Sequence, residues 1–193
     1  GDTIPQGLIG RVFKEYVVPF EEWSEELKGY YTYDPEGAKA LLDAAGYEPD
    51  ADGIRLKTRM AFFERYDLSY AELAAGYWRE IGVDVDIDVV SSGAEFFARH
   101  KAGDFDMSVL NNGTEADPTT AVSRYWSGHP WNVARVIFDA QYDAMYDALI
   151  AAATVEEEIR VTKQMDMHAI EHFWMLWAAP MTPWFTVTQP WVI

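Results

Sequence analysis

The run His168-Ala169-Ile170-Glu171-His172 spells H-x-x-E-H, a zinc-peptidase pattern. On a helix, positions i and i+4 share a face, so two imidazoles could grip one zinc with the glutamate close by as base. A catalytic zinc needs a third protein ligand, and the 21 residues after His172 contain no Asp, Glu, His or Cys. Val161 and Met165 precede the histidines on the same face, which reads as a packed stripe. A second run, Asp84-x-Asp86-x-Asp88 with Glu95, imitates a calcium loop. Val89 stands where the sharp turn needs glycine, and Val85 and Ile87 favour an extended strand whose acidic face is solvated. The third constellation is aromatic: eight tryptophans, with Tyr125, Trp126 and Trp131 in a turn-rich stretch. Aromatic faces stack on sugars and organic cations and line peptide pockets. Core packing is the reading preferred for Trp78, Trp174 and Trp177, while Trp126 and Trp131 fit either role. No nucleophile elbow and no Gly-rich phosphate loop occurs, and no cofactor is expected.

The rest of the composition narrows the classes. The formal charge of −17, from 32 acidic and 15 basic residues, is opposite to what phosphate neutralisation requires, so nucleic acid is not an expected partner. The charge itself is read as solubility or adaptation to salt. With no cysteine, thiolate zinc sites, iron–sulfur clusters and disulfides are excluded. No apolar run reaches the length of a membrane span. The first residues, Gly1-Asp2-Thr3-Ile4-Pro5, have neither the basic nor the apolar segment of a signal peptide, nor an initiator methionine. A processed product or an excised piece is expected, and localisation must come from elsewhere.

Periodicity supplies the elements that would hold such residues. The first 33 residues read as irregular, with a short helix over Pro19–Leu27. Asp34 caps a helix with Pro35 at its first position, Ala38, Leu41, Leu42 and Ala45 as its apolar stripe, and Gly46 as its stop. Leu56–Phe63 reads as a strand. Leu68–Ile81 reads as a helix with its stripe at Tyr70, Leu73, Ala74, Tyr77, Trp78 and Ile81. Val83–Val90 alternates as a half-buried strand. Gly93–Ala102 is helical, and Phe105–Val109 is a third strand ending at Asn111-Asn112-Gly113. Strands separated by helices imply right-handed crossovers and a largely parallel sheet, whose ligands sit beyond the carboxyl ends of the strands. Three loops lie there: Glu64-Arg65-Tyr66, Ser91-Ser92 and Asn111 to Asp117. Further helices are expected from Asp117-Pro118 toward Trp126, over Asp139–Ala153, and from a Thr154 cap to about His172. Trp174–Ala178 and Phe185–Thr188 read as closing strands.

Tyr33-Asp34-Pro35-Glu36, running through Ala38-Lys39-Ala40-Leu41-Leu42 to Ala44-Ala45-Gly46-Tyr47, resembles the Y-D-P-E-K-A-K-A-L-L-x-E-A-G-Y helix of the oligopeptide/dipeptide/nickel group of solute-binding proteins, family 5. Trp78-Arg79-Glu80-Ile81-Gly82-Val83-Asp84-Val85 is similar to its W-x-x-I-G-I-x-V segment. Gly103-Asp104-Phe105-Asp106, Asp117-Pro118 and the run from Asp139 to Met145 follow in the family's order. The resemblance implies an α/β lobe of a type 2 periplasmic-binding-protein fold, with a mixed, largely parallel sheet flanked by helices. It implies that residues 1–193 form a single carboxyl-terminal ligand-binding lobe, that 1–33 is its hinge-proximal segment, and that the amino-terminal lobe is absent. It further implies an extracytoplasmic place, in the periplasm or lipid-anchored at the outer membrane face. The implied partners are a small polar solute or peptide, an ABC-transporter permease and the missing lobe, and no bond chemistry is implied.

Peptide-binding members carry an aspartate in a W-x-x-D-Y-P-D-P loop that pairs with the ligand's amino group. Here that loop reads Asn111-Asn112-Gly113-Thr114-Glu115-Ala116-Asp117-Pro118, with Thr114 at the aspartate position unless a gap moves Glu115 there. Neutral donors and acceptors suit sugars or other polar solutes. The expected ligand contacts are Asn111, Asn112, Thr114 and Glu115, with Trp126 or Trp131 as a stacking platform and Arg65 and Tyr66 beside them. Two alternatives stand: a metal-dependent hydrolase using the H-x-x-E-H helix, and a protein-interaction module.

Overall fold

The computed structural model describes residues 5–109, 117–130 and 138–174. Its centre is a three-stranded parallel sheet, β1 (Leu56–Phe63), β2 (Val83–Val90) and β3 (Met107–Ser108), in the order β2-β1-β3. Leu56 pairs with Val83 and Phe63 with Val90, while Met60 pairs with Met107. β3 is shorter than the Phe105–Val109 expected. The ladder continues past it only through single bonds, Asp106 N–H to the Arg59 carbonyl and Val109 N–H to that of Ala61.

β1 buries both of its faces, as the middle strand of a parallel sheet must. Met60 and Phe62 point to one side, where Ala71 and Trp78 of the helix Leu68–Glu80 meet Val85 and Ile87. Ala61 and Phe63 point to the other, packing with Val90, Phe105 and Phe96 of the helix Gly93–Ala102. In chain order the helices are α1 (Glu25–Tyr30), α2 (Pro35–Ala44), α3 (Leu68–Glu80), α4 (Gly93–Ala102), α5 (Pro118–Ser123), α6 (Ala140–Ile150) and α7 (Val155–Glu171). Their starts follow side-chain chemistry. Ser24, Asp34, Asp67, Ser92, Asp117, Asp139 and Thr154 each accept a backbone N–H of the first turn. Gly46 (φ 86°) and Gly82 (φ 85°) follow α2 and α3 in the left-handed region their positions require.

Two apolar stripes depart from expectation. On α3 the half-buried line runs through Ala71, Ala74, Trp78 and Ile81, while Tyr70, Leu73 and Tyr77 are exposed. The stripe is narrower because small Ala71 allows close approach to β1, and Tyr77 instead meets the ring of Tyr33 edge-on. α2 has no buried residue, and its Leu41 is exposed. That helix is held by its caps and by the Asp43–Arg55 ion pair, Arg55 also donating to the Tyr47 carbonyl at 3.0 Å. Residues 5–33 are also more regular than expected, with one-turn 3-10 helices at Lys14–Tyr16 and Phe20–Glu22. α1 starts after the Ser24 cap rather than at Pro19.

A second core is helical. Ile9, Val122, Tyr142, Leu149, Val161, Met165 and Ala169 join the amino-terminal segment to α5, α6 and α7. Its polar key is Asp166, only 1% exposed. Its Oδ1 accepts the N–H groups of Leu8 (2.6 Å) and Ile9 (3.1 Å). Burial pushes its carboxyl up to about 7 against the opposing pull of those two donors. Gly7 is there because a Cβ at that position would lie 2.3 Å from the same oxygen. Trp23 and Leu27 pack on Ile170, fastening α1 to α7. Among the described residues no helix is long and apolar enough to cross a membrane. The closing strands expected after Trp174, with Trp177, lie outside the described residues.

Candidate functional site

Because β1, β2 and β3 run parallel, their carboxyl ends share one edge of the sheet. The turn after β1 is fastened to the end of β2 by the Glu64 N–H to Val90 carbonyl bond of 3.0 Å. Tyr66 is half-buried there, with its ring edge-on to Phe62 (6.2 Å) and Phe63 (5.6 Å), while Arg65 beside it is exposed. The turn thus presents one fixed aromatic ring and one long cation at the strand ends. In the loop after β2, Ser92 spends its hydroxyl on the Glu95 N–H at 3.3 Å, capping α4.

Asn111, Asn112, Thr114 and Glu115, in the loop after β3, and Trp131 lie outside the described residues. The end of that loop is described. Asp117 accepts from the N–H and hydroxyl of both Thr119 and Thr120, with hydroxyl distances of 2.6 and 2.9 Å. Burial works to raise its carboxyl, but these four donors outweigh it and hold it below the ordinary range. Asp117→Ala is expected to lower stability by about 1 kcal/mol, as loss of a cap does. The check is the urea midpoint, and an unchanged midpoint would show that the cap carries no weight.

Trp126 packs on α6. Its ring stacks on Tyr146 at 4.6 Å and 16°, and it lies across Gly128, where a Cβ would meet it at 2.5 Å. Ser127 N–H donates to Asp143 at 2.9 Å, tying the same turn to α6. One face of Trp126 is therefore occupied by the protein's own tyrosine.

The two other constellations resolve differently. Asp84, Asp86 and Asp88 extend along β2, as their spacing implied. Asp88 and Glu95 are both bound by Arg99, and Arg79 approaches Asp84. The acidic face is thus offset by cations of the same chain. The H-x-x-E-H helix, by contrast, gains a donor that counting residues after His172 could not reveal. Asp139, the cap of α6, places Oδ2 2.8 Å from His168 Nε2. His172 stacks on His168 with ring centroids 4.0 Å apart, and its Nδ1 lies 2.7 Å from the His168 carbonyl oxygen. One ligand atom from each of the three residues lies within 4.8 Å of the others. Burial would raise Asp139, but hydrogen bonds from His168 and from the N–H groups of Tyr142 and Gln141 hold its carboxyl down. In the sequence Asp139 stands only at the start of the expected helix Asp139–Ala153 and of the run that resembles the family's, 29 residues upstream of His168.

No curated protein matches the chain. Solved structures do. The murein tripeptide binding protein MppA of Escherichia coli is 25% identical, with a TM-score of 0.61 over 79% of this chain and 28% of its own. NikA of Brucella suis, in complex with Fe(III)-EDTA, is 25% identical, with a TM-score of 0.62 over 73% of this chain and 31% of its own. OppA of Haemophilus influenzae, in complex with RPPGFSPFR, is 17% identical, with a TM-score of 0.68 over 88% of this chain and 33% of its own. The chain thus spans about a third of the length of the structures it matches. The family model "Bacterial extracellular solute-binding proteins, family 5 Middle" matches residues 14–133, from the first 3-10 turn to the segment that follows α5. The chain belongs to the family 5 bacterial extracellular solute-binding proteins.

Proposed function

We propose that the chain is the carboxyl-terminal lobe of a solute-binding protein that captures a polar organic solute outside the cytoplasm and delivers it to an ABC importer. The observation that carries this reading is the family match over residues 14–133. The parallel sheet supports it by bringing the carboxyl ends of three strands to one edge, the position at which open α/β sheets take ligands. The two-lobed protein closes on its solute because contacts made only in the closed state favour that state. No bond is made or broken, so the chain acts as a carrier and not as an enzyme. It works in the periplasm or anchored to the outer face of the membrane.

The solute class follows from the loop after β3. Relatives bind an iron chelate and RPPGFSPFR, and peptides remain within the class. Asn111, Asn112 and Thr114 supply neutral hydrogen-bonding groups, which fit an oligosaccharide or a similar uncharged polar molecule. Glu115 adds one carboxylate, with Arg65 and Tyr66 at the neighbouring strand end. Trp131 and Trp126 are the proposed stacking residues.

A thermal-shift screen of the full two-lobed protein against peptides, oligosaccharides, polyamines and nickel tests the reading. One organic class is expected to raise the melting temperature in proportion to the logarithm of its concentration. No stabilisation by any organic class would remove the carrier role. With the solute in hand, Asn112→Ala and Glu115→Ala are each expected to weaken binding about tenfold, the effect of one lost buried hydrogen bond. Unchanged affinity in both, measured calorimetrically, would take this loop out of the site.

A further inference from the structure

We propose that Asp139, His168 and His172 form a site for one divalent transition-metal ion of the zinc type, which clamps the start of α6 to the end of α7. The proposal does not rest on the solute reading. Its donors come from two directions. His168 and His172 stand one turn apart at the end of α7, and Asp139 reaches them from the cap of α6.

The donor atoms lie within 4.8 Å of one another. Tetrahedral zinc with bonds of about 2.0 Å separates its ligands by roughly 3.3 Å, so small side-chain rotations close the set. The tautomer of His172 also favours it. A carbonyl oxygen can only accept, so the 2.7 Å contact of His172 Nδ1 with the His168 carbonyl puts the proton on Nδ1 and a lone pair on Nε2. A ring nitrogen donating to a backbone carbonyl is the arrangement that orients metal-binding histidines. His168 Nε2 donates to Asp139 Oδ2 at 2.8 Å. Binding moves that proton to Nδ1 of the same ring, and the ion takes its place between ring and carboxylate.

Two neutral imidazoles and one carboxylate leave a bound dication one net positive charge, in a chain whose own charge is −17. Mixed nitrogen and oxygen donors select zinc-like ions over magnesium or calcium. His168 is buried and His172 exposed. Glu171, the base of the peptidase pattern, is exposed and is not one of the clustered donors. The three donors join the start of α6 to the end of α7, so an ion held there would tie the two helices together.

The test is calorimetric titration of the whole chain with zinc, magnesium serving as control. One equivalent of zinc is expected to bind, with a rise in melting temperature that magnesium does not produce. His172→Ala keeps the His168–Asp139 bond but loses the ring stacked on His168, so its melting temperature in EDTA should fall modestly, while zinc binding weakens about tenfold or more and the zinc-dependent rise in melting temperature is lost. Asp139→Asn, which retains a capping oxygen, should weaken zinc similarly. Absence of saturable zinc binding by the parent would overturn the proposal, as would undiminished binding by His172→Ala.

Discussion

Asp166→Ala is expected to lower the stability of the chain by about 2–4 kcal/mol, because it leaves the buried N–H groups of Leu8 and Ile9 without an acceptor. The loss would appear as a lower urea midpoint, accompanied by faster amide exchange in residues 5–10. Asp166→Asn keeps the Oδ1 acceptor and should cost about 1 kcal/mol or less. Equal losses in the two variants would show that shape, and not the pair of hydrogen bonds, is what Asp166 contributes. The same residue sets a pH dependence. Its carboxyl is pushed up to about 7 in the fold, whereas an unfolded aspartate titrates near 4. Between those limits the folded chain holds a proton that the unfolded chain has lost, so stability falls as pH rises and levels off above about 7. Asp117 and Asp139 are shifted the other way, so their contributions are lost only at the acid end. The measurement is a urea midpoint series from pH 5 to 8 with EDTA present. Asp166→Asn should flatten the slope, and an equally steep slope in that variant would assign it elsewhere.

Phe62→Ala should have the larger effect, about 3–5 kcal/mol, since truncating a fully buried phenylalanine loses both transfer energy and packing. Phe62 is 0% exposed in the central strand, where it meets the α3 side of the sheet and carries the edge of Tyr66. Its removal therefore loosens the turn that holds Arg65 and Tyr66 as well as the core. Thermal unfolding with near-ultraviolet circular dichroism separates the two effects. A loss below about 1 kcal/mol would mean that the site collapses around the missing ring.

What was legible in the sequence were features carried by neighbours in the chain. The period-two run of β2, the Asp34-Pro35 start of α2 and the Thr154 cap of α7 needed only local sterics and hydrogen bonds. The parallel order also followed, since helices between strands leave little choice. Features that depend on distant partners were not legible. Tyr70, Leu73 and Tyr77 fit the helical period yet face outward, because period alone cannot say how wide a stripe the sheet will cover. Trp126 looked like an open platform until Tyr146 was found stacked on one face. Asp139 stood only at the start of an expected helix, and the packing of α6 on α7 brings it to the histidines.

The contact between Leu8 and Asp166 joins positions 158 residues apart. Such a bond carries a large loop-closure entropy and forms only after most of the intervening chain has been ordered. During synthesis the amino-terminal segment emerges long before its acceptor exists, and Ile9 stays uncovered while the parallel sheet can already assemble. The helical core then closes as a late step, drawing both ends of the described chain together. Asp166 thus makes the order of residues 8 and 9 depend on α7, and a chain interrupted before that helix has no acceptor for them.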